Sequence, residues 1–225
     1  QMNNTSILLL TLALLLGVVL SQTPPVWDAQ FEQTFTERMK YGFITSTTTG
    51  TYYYDAINNY TRLDRANGEY DRYCGSVHLF TNTPCTHLVR DNKRFLIFPE
   101  LKSCCFCCTS ANGCGIVRRD WLTNATFVGY ETVQGVKVEK WDKHGLQSNF
   151  YANTVGTNTP AYIDMVPNDY MEFNIASYKN KISDPSVFDL PDICKDQQQC
   201  PLLSIALSQV KDRFTTIKRE LRVLR

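Results

Sequence analysis

Cys104-Cys105-Phe106-Cys107-Cys108, followed by Cys114 and Trp121, puts five of the nine cysteines within eleven residues, near the middle of a 225-residue chain. Such a stretch is either a thiolate metal centre or the disulfide staple of a secreted β-rich domain. Its surroundings favour the staple. Tyr, Val, Thr and Phe crowd both sides, as strands require. Cys105 and Cys108 form one CxxC, but no second CxxC or HxxxH follows, and His78, His87 and His144 are isolated in sequence. A metal centre therefore lacks supporting spacing, and no metal or cofactor is expected.

The N-terminus points the same way. Residues 7–20 are almost entirely apolar, and no charged side chain precedes Asp28. That run is too short to span a bilayer comfortably and fits the core of a signal peptide. With Met2 as the start, cleavage is expected after Ser21, leaving Gln22 first. The expected division is a signal peptide over residues 1–21, a β domain over 22–200 and a basic amphipathic helix over 201–225. Secretory localisation follows, outside the cell or in a lysosomal or vacuolar lumen.

In an oxidising compartment all nine cysteines are disulfide candidates: Cys74, Cys85, Cys104, Cys105, Cys107, Cys108, Cys114, Cys194 and Cys200. An odd number leaves one thiol free or paired with another chain. A bond between neighbours such as Cys104 and Cys105 would be strained. Cys194 and Cys200 bracket a polar loop and bond either to each other or back to the sheet. The central stretch is read as tying the loop between two halves of one sheet, with Trp121 packed beside it. Asn59-Tyr60-Thr61 and Asn124-Ala125-Thr126 are glycosylation sequons, making Asn59 and Asn124 candidate surface acceptors.

Along the chain, Phe31, Phe35 and Met39 recur every four residues and predict a helix over 27–40. From Tyr41 the period becomes two, with Gly50 expected to break the first strand. Asn58-Asn59, Asn67-Gly68 and Gln134-Gly135 are turn signals between short strands. Residues 77–80 and 87–89 are read as strand material around a cysteine-bearing loop. Residues 94–98 are apolar on both faces, the pattern of a strand covered on both sides. About nine to eleven strands with hairpin spacing predict a mainly β (α+β) fold: a large curved antiparallel sheet forming a half-barrel, short helices at its mouth, disulfide-stapled, with a C-terminal amphipathic helix. In that helix, Leu203, Leu207, Val210, Phe214, Ile217, Leu221 and Leu224 form one apolar stripe among basic residues. It is read as docking on the sheet, pairing with another chain or lying on a membrane surface.

Lys and Arg number 23 against 22 Asp and Glu, so nothing electrostatic recommends a nucleic-acid partner. No GxSxG, HExxH or glycine-rich phosphate loop occurs. Glu69, Asp64 and Asp71 sit near one another in sequence and read as turn and surface chemistry. The chain is therefore read as non-enzymatic, with no catalytic residue assigned. Twelve Tyr and twelve Phe in a strand-rich chain can line a cavity for a hydrophobic ligand.

The order of these features resembles the ependymin-related proteins. The resemblance is carried by Trp27 and Phe31, Gly50 before Tyr53-Tyr54-Asp55, Arg62 and Asp64, Cys74, Pro84-Cys85, the clustered cysteines, Trp121-Leu122, and Gly129 before Val138 and Trp141. Asn149-Phe150-Tyr151, Pro160, Phe173, Phe188, Pro191 and Cys194 continue it. It implies a half-barrel similar to bacterial lipoprotein carriers, in a secreted or lysosomal glycoprotein that binds lipids, often as a homodimer. The denser cysteines and the basic C-terminal helix depart from the family pattern. The resulting expectation is a lipid or other hydrophobic molecule bound against Tyr54, Phe98, Val138, Phe150, Met165 and Phe173. A structural or adhesion glycoprotein without a ligand cavity is the competing reading.

Overall fold

The computed structural model describes residues 22–41, 44–78, 81–145, 148–196 and 198–201. The expected signal segment, and all but the first residue of the expected C-terminal helix, lie outside these. Eleven strands form one antiparallel sheet that does not close. They are β1 (Gln30–Tyr41), β2 (Ile44–Asp55), β3 (Tyr60–Arg65), β4 (Cys85–Arg90), β5 (Lys93–Phe98) and β6 (Ser103–Thr109), then β7 (Thr126–Val133), β8 (Val136–His144), β9 (Ser148–Thr154), β10 (Pro160–Met165) and β11 (Asp169–Phe173). Their spatial order is β6-β5-β4-β3-β2-β1-β11-β10-β9-β8-β7. Two meanders are thus joined by the pairing of the first strand with the last, and the consecutive strands β6 and β7 form opposite edges. Among the described residues, one α-helical turn, α1 (Cys74–Val77), and four 3-10 turns complete the regular structure.

The predicted leading helix is instead strand β1. Phe31, Phe35 and Met39 satisfy a period of two as well as a helical one. The residues between them decide the matter: Gln33 and Glu37 are also buried, while Thr34, Thr36, Arg38 and Lys40 are exposed. From Gln33 to Lys40 that is strand alternation, Glu32 being buried on the other face by Lys179 and Ser183, and β1 pairs with β2 in register from Gln30↔Asp55 to Tyr41↔Ile44. Nor does Gly50 break β2. It lies inside the strand, where a Cβ would meet the Asp64 carbonyl oxygen at 1.9 Å and the Phe35 ring at 2.4 Å. Glycine is needed there to let the ring lie against the backbone.

Asn67-Gly68 does not close a hairpin, because β3 ends at Arg65 and the chain leaves the sheet to build α1. The strand expected over residues 77–80 does not begin at Val77, which closes α1, and residues 79 and 80 lie outside the described residues; residues 87–89 do form strand, in β4. Asn58-Asn59 and Gln134-Gly135 do form the turns expected of them, with positive φ at Asn59, Gln134 and Gly135. In β5, Phe95, Leu96, Ile97 and Phe98 are all buried, as a strand covered on both faces requires.

Register sorts the side chains onto two faces. One carries Phe31, Phe35, Tyr54, Trp141, Tyr151 and Phe173, packed with Trp27 and Leu122. Further along the same face, Leu96, Phe98 and Cys105 meet Tyr73 and Cys74 from the α1 region. On the opposite face, Leu88, Phe95 and Ile97 are covered by Phe188 and Cys194. Val138, Ala152 and Tyr162 form a smaller core there.

The cysteine stretch is not a loop between halves of the sheet but the edge strand β6 itself. Adjacent strand residues point to opposite faces, so Cys104 bonds Cys194 on one face and Cys105 bonds Cys200 on the other. Residues 194–200 therefore wrap the edge, and Phe106 exchanges backbone hydrogen bonds with Gln198 and Cys200 at 2.7 and 2.8 Å. This covers an edge that would otherwise offer unpaired N–H and C=O groups. Cys74–Cys85 and Cys108–Cys114 complete the set. Cys107 is the odd thiol, and it is buried, with burial pushing its pKa up to about 11. A covalent partner at that position would need it exposed and ionised.

Candidate ligand-binding site

Residues 110–125 carry the chain from edge β6 to edge β7 across the aromatic face. Ile116, Trp121, Leu122 and Ala125 pack on that face, while Val117, Arg118 and Arg119 stay exposed. The segment contains only a 3-10 turn, Ser110–Asn112. Ser110 N donates to the Asn92 carbonyl at 2.9 Å and Lys143 Nζ to the Thr123 carbonyl at 2.5 Å, and further anchors lie at the rings. Tyr54 Oη donates to the Val117 carbonyl at 2.8 Å, Trp27 N donates to the Arg119 carbonyl at 3.0 Å, and Arg119 Nε returns a bond to the Trp27 carbonyl at 2.8 Å.

Beneath this strap the rings meet mainly edge to face, the arrangement their quadrupoles favour. Trp27 lies 5.2 Å from Tyr54, 5.3 Å from Phe31, 5.7 Å from Trp121 and 6.1 Å from Tyr151, centroid to centroid. Trp121 and Tyr151 are 5.6 Å apart. Trp27 Nε1, Trp121 Nε1 and Tyr151 Oη are all buried with no well-formed hydrogen bond among the described residues, and the Trp27 indole N–H stands near enough to the Tyr151 hydroxyl to act on it weakly. Polar atoms left so poorly satisfied in one ring cluster are unusual, because each costs free energy when taken out of water. Burial raises the pKa of both Tyr54 and Tyr151, at Tyr151 against the opposing pull of the Trp27 side chain, so both hydroxyls stay protonated and able to donate.

The six residues expected to line one cavity do not share a site. Tyr54 and Phe173 belong to the ring cluster, and Phe98 lies in the separate cluster beside α1. Met165, half-buried, is on the same face near the end of β10. Val138 and Phe150 point to the opposite face, where Lys140 Nζ stands 5.0 Å over the Phe150 ring. Alternation alone separates them: Val138 and Trp141 differ by an odd number of positions. Trp121 packs on Trp27 and Tyr151 rather than on the cysteine staple. The aromatic face is filled, and a groove of about 550 Å³ lies elsewhere, lined by Thr34, Thr36, Thr49, Thr51, Asp64 and Glu172 together with Phe35 and Ala66, with more apolar than polar surface.

Next to the rings, the same face buries a charged group that sequence reading dispersed. Glu37 and Arg65 form a two-pronged pair, Arg65 Nε to Oε2 at 2.5 Å and Nη2 to Oε1 at 2.9 Å. Arg65 Nη1 also lies 3.4 Å from Asp71 Oδ2, and His87 Nε2 lies 3.0 Å from Asp71 Oδ1. Burial opposes the Asp71 charge, but His87, Arg65 and the Cys74 backbone N–H outweigh it and hold the carboxyl well below the usual range. Burial lowers the His87 pKa and keeps the imidazole neutral. For Arg65, burial is overcome by Glu37 and Asp71, which hold its charge firmly. Burial and the neighbouring Glu37 push Asp169 up to about 8. Asp71 is thus no surface carboxylate. The missed signal was Glu37, which shares strand parity with Phe31 and Phe35 and so must face inward. Asn59 and Asn124 are both exposed at turns.

Residues 86–194 match the domain of unknown function DUF8395. No curated protein matches the sequence. Among solved structures, the chain is similar to an uncharacterized conserved protein from Thermus thermophilus, with 7% identity and a TM-score of 0.47 over 76% of this chain and 90% of that one. It is similar to MucB with 10% identity and a TM-score of 0.42, over 73% of this chain and 58% of that one. A putative outer membrane lipoprotein-sorting protein domain from Vibrio parahaemolyticus gives 10% identity and a TM-score of 0.34, over 72% and 89%.

Proposed function

We propose that the protein is a non-enzymatic binder of a lipid or other hydrophobic ligand, taken up on the aromatic face when the strap over residues 116–125 lifts. The observation that carries this reading is the ring cluster with its buried, poorly satisfied polar atoms, Trp121 Nε1 above all, beside Trp27 Nε1 and Tyr151 Oη. A ligand with an apolar body and one hydrogen-bond-accepting end would suit both features. The ring contacts also support a sheet curled into a half-barrel. Trp27 touches Tyr54 on β2 and Tyr151 on β9, although β1, β11 and β10 lie between those strands. A flat sheet would hold strands four places apart at about 19 Å. On this reading the protein is a secretory glycoprotein with glycans at Asn59 and Asn124. It is related to the ependymin-like proteins, and its basic C-terminal helix serves homodimer or membrane-surface contact.

Magnitudes set a threshold. Displacing Trp121 and Leu122 costs about 2–3 kcal/mol each, and each buried methylene returns about 0.8 kcal/mol. Chains shorter than about eight methylenes should therefore fail to bind. Native mass spectrometry of the purified protein, with fluorescent fatty acids and phospholipids as probes, tests the proposal. A ligand-free protein that ignores every probe would sink it. A structural glycoprotein with a solid core is the second reading, favoured by the filled aromatic face.

A further inference from the structure

We propose that Cys74 and Cys85, once their disulfide is reduced by a dithiol, form with His87 and Asp71 a binding site for one divalent metal ion of the zinc class. Cys74 Sγ, Cys85 Sγ and a His87 ring nitrogen all lie within 4.8 Å of one another. His87 Nε2 is 3.1 Å from Cys74 Sγ and 3.0 Å from Asp71 Oδ1. Tetrahedral zinc, with Zn–S near 2.3 Å and Zn–N near 2.0 Å, places its donors about 3.3–3.8 Å apart. Three donors of the right kinds therefore already converge, from β4 and from the first residue of α1, and Asp71 in the turn before it stands against His87.

The positions are rigid. Cys85 and His87 are alternate residues of β4 and share a face. Asp71 Oδ1 accepts from the backbone N–H of Tyr73 at 2.9 Å and of Cys74 at 2.7 Å, which fixes the carboxylate beside the sulfur. Cys74, Cys85, Asp71 and His87 are all buried.

The exchange balances. The disulfide takes two electrons and two protons from the dithiol, which leaves as a cyclic disulfide, and two thiols remain. The metal displaces one proton from each thiol, and the His87 hydrogen moves to Nδ1. Two thiolates and a divalent cation together carry no net charge, so the buried charge balance of Glu37, Arg65 and Asp71 is unaltered. Two thiolates without a metal would have no such compensation.

Cys107, Cys108 and Cys114 are a competing sulfur cluster, and the experiment separates the two. The full chain is reduced stepwise with dithiothreitol in the presence and absence of zinc. Metal per chain is counted by native mass spectrometry, and free thiols are mapped by alkylation. The oxidised chain should hold none. After reduction it should hold one zinc that protects Cys74 and Cys85 from alkylation, and cobalt in its place should show thiolate charge-transfer absorption. His87→Gln should weaken zinc binding by more than the roughly 10–100-fold that loss of a supporting residue costs, and Cys107→Ser should change nothing. A Cys74→Ser/Cys85→Ser chain that keeps the sheet by circular dichroism should bind no metal. Zinc retained by that chain, protection of Cys107, Cys108 and Cys114 instead, or unfolding on reduction despite zinc would each overturn the proposal.

Discussion

The two halves of the sheet are held by different means. From β1 to β6, the first meander carries all four disulfides at or beside its outer strands, and β3 to β6 are covered on both faces. The second meander, β7 to β11, contains no cysteine, has a small core around Val138 and Tyr162, and ends in β7 with Val128 and Tyr130 about half exposed. Edge β6 is wrapped by residues 194–200, whereas β7 alternates between exposed and half-buried. The aromatic cluster lies between the halves, and its strap runs from Cys114 to β7, beyond the last covalent tie. A structure built this way can stay fixed on one side while the strap opens on the other.

Removing the staple should have the largest effect. Cys104–Cys194 and Cys105–Cys200 close the same stretch, with separations of 90 and 95 residues, so opening that loop requires removing both and costs at least about 4–5 kcal/mol in the chain-entropy view. A chain with Cys104, Cys105, Cys194 and Cys200 all changed to Ser should lose at least that much in chemical denaturation, and hydrogen exchange should rise first in β5 and β6. A loss spread evenly over both meanders would erase the contrast.

Arg65→Met should cost about 3–5 kcal/mol, because it leaves Glu37 and Asp71 charged and buried without their cation. Denaturation of Arg65→Met beside Arg65→Met/Glu37→Gln reads this directly. The double variant should recover part of the loss. Trp121→Ala should cost about 2 kcal/mol, below the 3–5 kcal/mol of a fully buried tryptophan, since Trp121 is only half-buried. Hydrogen exchange should then quicken in residues 116–125 and leave β4 to β6 unchanged.

A further effect is in pH. Asp169 has its folded pKa raised to about 8 from an ordinary 3.8. Its stabilising contribution is therefore fully present below about pH 4 and is lost progressively as pH rises through 8. Asp71 is lowered, so its contribution is present above about pH 4 and lost in acid. Melting temperatures from pH 5 to 9 should fall more for the native chain than for Asp169→Asn. Parallel curves would show that Asp169 does not titrate in that range.

Much of the architecture was legible because strand alternation and turn residues are local signals. Residues 94–98 showed a strand with two buried faces, and Gln134-Gly135 showed its hairpin. The leading helix was misread because a four-residue spacing of Phe31, Phe35 and Met39 fits both periods, and only pairing with β2 chooses. The disulfides could not be paired from spacing, since Cys104 and Cys105 reach opposite faces and partners at least 90 residues away. The ligand candidates scattered because a list of apolar residues carries no face information until register is known. Glu37, Arg65, Asp71 and His87 come from three strands and a turn, so no local pattern could gather them.

The most direct measurement is native mass spectrometry of the full chain titrated with saturated fatty acids of increasing length, beside Trp121→Ala. One acid should bind per chain only above about eight methylenes, and Trp121→Ala should lower that threshold, because less must be displaced. No complex at any length, or a threshold indifferent to Trp121, would contradict ligand uptake on the aromatic face.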